Sequence, residues 1–436
     1  MGPNSHPASI AAGDFNKDGQ VDLAVANYGT KYIGMLLGNG NGKGWFTSQV
    51  VYGDSMDFAP LVIAAGDFYN DAQAEIVVAY DDSDNVDIFG VSDTGFFSTQ
   101  KTYPSGRGPW SLAMGDFNSD NQLDIVVVNS NDNTISILFG YGNGSFETGP
   151  TYQTGPGLSS VVVGDFNNDT QLDIVVANMN DYFVVVYLGY GNGSFASPLG
   201  FVTGAGPSSI VVGDFNNDEQ LDFVVTNFYS NNVSVVFENG EGQFYTPVTY
   251  ATGSYPIAIG AGDFNNDTQL DIVVANNNDA TISVLLGYGN GSFADQVIYS
   301  TGIYPFAVAV SDFNNDTRLD IVVPNAGNNS ISLLLGYSNG TFADQITFLV
   351  GNSPEALAVG DVNNDNRPDI VVVNTGDNTA SVLLGLGNGD FREPAVYSTG
   401  FLPYFVAVAD FNNDKQLDFA VVNKGTDNLK ILLETC

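Results

Sequence analysis

The stretch GDFNNDTQLDIVVAN, Gly164 to Asn178, recurs unchanged at Gly262 to Asn276. Its acidic core reads D-x-N-x-D-x-x-x-D, and copies begin at Asp14, Asp67, Asp116, Asp165, Asp214, Asp263, Asp312, Asp361 and Asp410. Successive copies stand 49 residues apart, except the first pair, at 53. A fixed period of this length marks a repeat architecture, in which each unit packs only on its neighbours. That arrangement lets 436 residues fold without one oversized hydrophobic core.

One repeat is enough to read the fold. In Pro256 to Gly302 there are four apolar runs: Ile257 to Phe264, Leu270 to Ala275, Ile282 to Leu286 and Gln296 to Tyr299. They are short, rich in Val and Ile, and bounded by Gly, Asn and Asp, which predicts strands and turns. No run has a helical period with caps. Ile272, Val273 and Val274 are consecutive, so both faces of that strand avoid water. Asn-Gly pairs at 143–144, 192–193, 290–291, 339–340 and 388–389 predict a tight hairpin between the third and fourth strands. Pro stands seven residues before the motif Asp in eight units (Pro7, Pro60, Pro109, Pro207, Pro256, Pro305, Pro354 and Pro403), with Leu158 in the fourth. A proline is tolerated there as the first residue of a strand. The expectation is one all-β domain, residues 1–436: a β-propeller of four-stranded antiparallel blades. Nine blades are expected, with seven or eight as the alternative. The sequence stops after a third strand, Leu429 to Leu433, so residues 1–6 are a candidate to complete the last blade.

The charge is lopsided: 49 acids against 11 Lys and Arg, a net −38. Such a surface excludes nucleic acid and anionic membranes as partners, and no apolar run is long enough for membrane insertion. Of the 49 acids, 27 occupy positions 1, 5 and 9 of the nine motifs, so the charge belongs to sites rather than to a diffuse surface. Hard oxygen donors stand at positions 1, 3, 5 and 9, and a backbone carbonyl at position 7 can join them. That set suits Ca²⁺, with its six to eight oxygen ligands. Mg²⁺ takes fewer protein ligands, and Zn²⁺ asks for His or Cys, which are nearly absent.

The candidate calcium ligands follow the repeat. The first loop offers Asp14, Asn16, Asp18, Gln20 and Asp22, and the second Asp67, Asp71 and Glu75, with Tyr69 at position 3. The third offers Asp116, Asn118, Asp120, Gln122 and Asp124; the fourth Asp165, Asn167, Asp169, Gln171 and Asp173. Next come Asp214, Asn216, Asp218, Gln220 and Asp222, then Asp263, Asn265, Asp267, Gln269 and Asp271. The seventh and eighth have arginine at position 7: Asp312, Asn314, Asp316, Arg318 and Asp320, then Asp361, Asn363, Asp365, Arg367 and Asp369. The ninth offers Asp410, Asn412, Asp414, Gln416 and Asp418. The second loop is expected to bind worst. The competing reading is that Asp and Asn here only make turns.

These residues resemble the FG-GAP and VCBS repeat family, which includes integrin alpha-subunit heads. AAGDFNKDGQVDLAVAN at 11–27 matches the family's D-x-D/N-x-D-G-x-x-D loop between the first two strands of a blade. The resemblance implies a propeller with structural calcium loops and an opposite face that binds partners. The chain departs from it at position 6, where only Gly19 keeps the family glycine. Thr170, Thr268 and Thr317 are β-branched and resist a left-handed backbone, and Ala72, Glu219 and Lys415 also fit it poorly. A different turn, or weaker binding, is expected. The family most often closes with seven blades.

In an up-and-down blade the acidic loops and Asn-Gly hairpins share one face. The opposite face then carries the links between blades, with Phe58, Trp110, Tyr255, Tyr304, Phe401 and Tyr404. It also carries the second-to-third-strand turns, with Asp132, Asp181, Asp279, Asp377, Asp427, Ser230 and Asn328. Exposed aromatics beside polar groups suit a protein or glycan ligand; the plainer reading is that they cap blade packing and shape turns. The leading expectation is an extracellular or cell-surface adhesion module with a protein partner, integrin-head-like. A lectin with one glycan site per blade is the alternative, since repetition gives avidity. An enzyme needs a unique constellation, and none stands out: His6 is the only histidine, and Asp81, Asp82, Asp84 and Asp87 read as a solvated loop. Cys436 is the only cysteine, so no intrachain disulfide forms. No signal peptide or membrane anchor is visible. Nine N-x-S/T sequons occur, including Asn143, Asn192, Asn232, Asn290 and Asn328, and give weak support for secretion.

Overall fold

In a computed structural model, residues 7–16, 22–38, 50–52, 59–68, 73–81, 85–91, 97–107, 109–143, 145–239, 242–363, 365–399, 403–409, 418–423 and 428–432 are described. They form eight four-stranded antiparallel sheets and a ninth sheet of three strands. The protein is an all-β propeller, and each four-stranded sheet is a complete blade. Blade 6 shows the pattern, with strands Pro256–Gly262, Asp271–Asn276, Thr281–Leu285 and Val297–Ser300 in sequence order. These bounds lie within two residues of the four apolar runs. The ninth sheet holds Pro403–Ala409, Asp418–Asn423 and Asn428–Leu432. Residues 1–6, the candidate fourth strand, lie outside the described residues. Among the described residues no helix is long and apolar enough to cross a membrane.

The second strand is the hydrophobic spine. Every residue of Asp271–Asn276 is buried, and the same holds for Asp124–Asn129, Asp173–Asn178, Asp222–Asn227, Asp320–Asn325 and Asp369–Asn374. Its alternate side chains face the two neighbouring blades, so the Val-Val runs are buried on both sides. Between blades 5 and 6, Phe215, Val224 and Val235 meet Ile272, Val274 and Phe293. The fourth strand is mostly exposed, as its polar composition predicts.

Two contacts lock each blade to the next at the acidic loop. The position 2 phenylalanine is fully buried: Phe264 meets Phe342 of blade 7 edge-on, with centroids 5.6 Å apart. The position 8 leucine lies on the glycine that precedes the neighbouring motif. A Cβ on Gly213 would fall 2.5 Å from Leu270 Cδ1, so a larger residue there makes the leucine shift. Proline begins the first strand at Pro207, Pro256 and Pro354, while Pro305 makes only an isolated bridge to Asn325.

Candidate metal centre

The acidic loop joins the first and second strands. Position 9 is the first residue of the second strand, which places its carboxylate inside the blade. Asp271 is fully buried. Its Oδ2 accepts a hydrogen bond from Phe264 N (2.7 Å), and its Oδ1 accepts one from Gly287 N (2.7 Å). Gly287 follows the third strand, so this one side chain ties both connections on that face together. Asp22, Asp124, Asp173, Asp222, Asp320 and Asp369 repeat the pair of bonds, and Glu75 receives Phe68 N at 2.9 Å. This staple was missed from the sequence, where position 9 reads as a metal ligand alone. The available signal was a lone acid opening a buried apolar strand. Asp271→Ala strands two buried N–H groups and is expected to cost about 2–4 kcal/mol, read as a lower urea midpoint.

The remaining loop side chains fold onto the loop's own amides. In blade 6, Asp263 Oδ1 and Asn265 Oδ1 both accept from Asp267 N, at 3.1 and 3.0 Å. Asp263 Oδ2 accepts from Thr268 N (2.8 Å), and Asp267 Oδ1 accepts from Gln269 N (2.8 Å). The same four bonds recur around Asp116, Asn118, Asp120 and Gln122, and around Asp165, Asn167, Asp169 and Gln171. They recur again at Asp214, Asn216, Asp218 and Gln220, at Asp312, Asn314, Asp316 and Arg318, and at Asp361, Asn363, Asp365 and Arg367. Asp14, Asn16 and Asp67 are described in the first two loops. Asp18, Gln20, Tyr69, Asp71, Ala72, Asp410, Asn412, Asp414, Lys415 and Gln416 lie outside the described residues, and Asp418 opens its strand.

The threonines do not divert the turn. Positions 4 and 6 are both left-handed: φ is 58° at Asn266 and 69° at Thr268, with 68° at Thr170 and Thr317 and 65° at Glu219. The position 6 amide must reach Asp263 Oδ2, and that bond fixes the conformation against the β-branched side chain's preference. Strain of this kind is held only where surrounding structure enforces it. Thr268→Gly relieves it and is expected to stabilise the fold by about 1 kcal/mol, read as a raised urea midpoint.

The electrostatics are those of crowded acids. Burial pushes the Asp271 carboxyl up to about 7; the two backbone bonds oppose this, and the charges of Asp267 and Asp263 add to it. Asp124, Asp173 and Asp222 also reach about 7, and Asp320 and Asp369 about 6. In blades 7 and 8 a guanidinium lies against position 5: Arg318 pairs with Asp316, and Arg367 Nη1 lies 3.5 Å from Asp365. Among the described residues no three acidic side chains are gathered into a ready cage. The donor chemistry still fits a hard divalent cation. Three carboxylates and an amide oxygen sit on one nine-residue loop, and two of those oxygens share a single amide.

At the other end of the blades, the predicted turn residues hold the links. Asp279 Oδ2 accepts from Ser254 N (2.6 Å), Asp377 Oδ2 from Asn352 N (2.6 Å), and Ser230 Oγ from Ala205 N (2.5 Å). Asn328 Oδ1 accepts from Ile303 N, and Asp132 receives both the amide and the guanidinium of Arg107. Asp181 lies against Gly155. Tyr255 and Tyr304 are exposed, with Phe228 stacked on Tyr255 at 4.7 Å and 13°. Tyr182 and Tyr229, in the second-to-third-strand turns of blades 4 and 5, are also exposed. Phe58, Phe401 and Asp427 fall outside the described residues, while Trp110 and Tyr404 lie in first strands. The solvated acidic loop expected in unit 2 is corrected at Asp87. It is buried in the third strand of that blade and accepts from Tyr80 Oη at 2.6 Å, because tyrosine and aspartate there replace the usual Asn and Ser pair. Asp81 ends the preceding strand, and Asp82 and Asp84 are outside the described residues.

Fold and loop together define the class: a propeller in which blade after blade carries an acid-rich first loop stapled to its core. A family model for the FG-GAP-like repeat matches residues 14–78, 67–127, 116–176, 165–225, 214–274, 263–323, 325–372 and 361–421, and the chain belongs to that family. No protein of curated function matches it. Among solved structures it is similar to the dihydro-heme d1 dehydrogenase NirN in complex with DHE, at TM-score 0.52 and 13% identity, covering 82% of this chain and 72% of that one. It is also similar to BBS1N in complex with ARL6DN (TM-score 0.47, 14% identity, 74% and 92% covered). A lectin of Agrocybe aegerita that recognises non-reducing terminal N-acetylglucosamine gives TM-score 0.45 at 17% identity, with 78% and 94% covered. At these identities the likeness is one of fold.

Proposed function

We propose that the chain is a calcium-stabilised extracellular binding module, without enzymatic activity, that presents the face opposite its acidic loops to a protein partner. The observation that carries this reading is the aromatic cluster of Phe228, Tyr229 and Tyr255, with exposed Tyr304 in the corresponding place one blade on. Among the described residues a stacked ring pair is found only between Phe228 and Tyr255, in consecutive blades. Tyr255 and Tyr304 hold left-handed backbones (φ 56° and 58°) at the place where Gly157 and Gly206 stand in earlier units. Two bulky residues kept in a conformation that glycine adopts freely point to a role for their rings. One dominant aromatic patch is the anatomy of a protein-binding hot spot. A multivalent lectin would instead repeat the patch in each blade.

In the same reading, calcium would be held by positions 1, 3, 5 and 9 with the position 7 carbonyl, and would neutralise the crowded carboxylates. Nine blades then complete one domain, and the first strand of unit 1 meeting the second strand of unit 9 supports that count. The negative surface argues against a nucleic-acid or membrane partner.

Cell adhesion to the immobilised protein, beside binding to a glycan array, tests the proposal. Adhesion should fall sharply for Phe228→Ala with Tyr255→Ala and should be indifferent to competing soluble glycans. Array binding that survives both substitutions would replace the protein partner with a glycan. Turnover abolished by one carboxylate substitution, with melting unchanged, would mean an enzyme.

A further inference from the structure

Four hairpins between third and fourth strands share one pattern: Tyr141-Gly142-Asn143-Gly144-Ser145, Tyr190-Gly191-Asn192-Gly193-Ser194, Tyr288-Gly289-Asn290-Gly291-Ser292 and Tyr337-Ser338-Asn339-Gly340-Thr341. Each is an N-x-S/T sequon with a tyrosine two residues upstream. The corresponding tyrosine place is Asn39 in unit 1, Ser92 in unit 2, Asn239 in unit 5 and Leu386 in unit 8, and all four of those hairpins lack the sequon. Tyrosine and sequon are therefore gained or lost together, which hairpin formation alone does not require, since Asn388-Gly389 turns without either.

The geometry joins the two features. The tyrosine N–H donates to the carbonyl of the sequon Ser or Thr, at 3.0 Å for Tyr141 and Tyr190, 2.9 Å for Tyr288 and 2.8 Å for Tyr337. This closes a five-residue turn that holds both tyrosine and sequon; the same bond closes the turns at Asn239 and Leu386. The hydroxyl donates to the asparagine Oδ1, at 2.6 Å from Ser194 and 2.7 Å from Ser292 and Thr341, and likewise from Ser145. The backbone N–H of the same Ser or Thr donates to that oxygen too. The asparagine is exposed in all four hairpins. The tyrosine rings are 51–63% exposed, far more open than the buried Phe that follows each hairpin.

Four of the other five sequons are built differently. Asn232 Oδ1 accepts from Asn227 Nδ2 at 2.7 Å, and its Ser234 is buried. Asn328 is bound to the Ile303 amide, and its Ser330 is buried. At Asn168 and Asn266 the Thr170 and Thr268 hydroxyls accept from glutamines, not donate to the asparagine.

We propose that Asn143, Asn192, Asn290 and Asn339 are acceptors for N-linked oligosaccharide, with the first sugar seated on the neighbouring tyrosine. The donor class is a lipid-pyrophosphate-linked oligosaccharide. The amide nitrogen attacks the anomeric carbon, a C–N bond forms, the C–O bond to phosphate breaks, and the amide gives up one proton as the lipid pyrophosphate leaves. No oxidation or reduction is involved. The C–H face of the sugar then covers an aromatic face otherwise open to water. This rests on the secretory location proposed above.

The test expresses the full chain behind an added signal peptide in cultured human cells. Entry is thereby forced, so a failure speaks against the sites and not against the native location. Glycans are released enzymatically in ¹⁸O-water, and the labelled Asp positions are mapped by peptide mass in both retained and secreted protein. Labelling is expected at the four hairpins in most molecules and at Asn232 and Asn328 in almost none. Bare hairpins, or labelling that favours Asn232 or Asn328, would overturn the acceptor assignment. Replacing all four tyrosines with Ala should lower the melting point of the glycosylated protein and leave that of the enzymatically released protein unchanged. An equal drop in both would overturn the sugar seat.

Discussion

Calcium at millimolar concentration is expected to raise the melting point by well over ten degrees relative to the calcium-free protein, with eight or nine ions counted by native mass spectrometry. A site filled tenfold above its dissociation constant adds about 1.4 kcal/mol, so nine such sites add about 13 kcal/mol. That is comparable with the whole stability of an ordinary domain. Calcium would also offset the charges of Asp263 and Asp267 that act on the buried Asp271. Blades 7 and 8 should contribute less than blades 3 to 6, because Arg318 and Arg367 already bring a cation to position 5. An unchanged melting point with no bound ions would leave the motifs as turn formers held by their own amides.

The pH dependence of stability is expected to reverse sign with calcium. In the calcium-free fold, burial raises the Asp124, Asp173, Asp222 and Asp271 carboxyls to about 7, and Asp320 and Asp369 to about 6. The unfolded values lie near 3.9. Between these limits the folded chain binds more protons than the unfolded one, so these six groups make stability greatest near pH 4 and remove it as pH rises towards about 7. Above that window their contribution is flat. Calcium binds the ionised form, so lowering the pH displaces it, and the calcium-loaded protein should gain stability across the window in which the calcium-free protein loses it. Melting curves at pH 5 and pH 7.5, with and without calcium, would show the crossing. Parallel slopes in the two series would rule out these aspartates as calcium ligands.

Much of this was legible in the residues because the repeat is its own control. Short runs rich in Val and Ile, their Gly, Asn and Asp boundaries and the Asn-Gly pairs located the strands of blade 6 to within two residues. The site was read less completely. Asp271 looks like any other acid of the motif, and its second bond, to Gly287, lies 16 residues on, beyond any local pattern. Thr268 reads as an obstacle to a left-handed turn, but the pull of Asp263 on its amide outweighs side-chain preference. Asp87 reads as solvated because its partner, Tyr80, is brought near only by pairing of the second and third strands. The hairpin tyrosines were passed over, since Asn-Gly alone explained the turn.

The meeting of the Pro7–Gly13 strand with Asp418–Asn423 has a kinetic side. The principal strand contacts otherwise lie within one blade or join it to the next in sequence. Assembly can therefore advance by short loop closures, each cheap in chain entropy. Only the final junction must bring the two extremities of the chain together. Folding of this molecule divides into many fast local steps and one slow encounter, and until that encounter the growing arc has two open ends able to accept a blade from another copy.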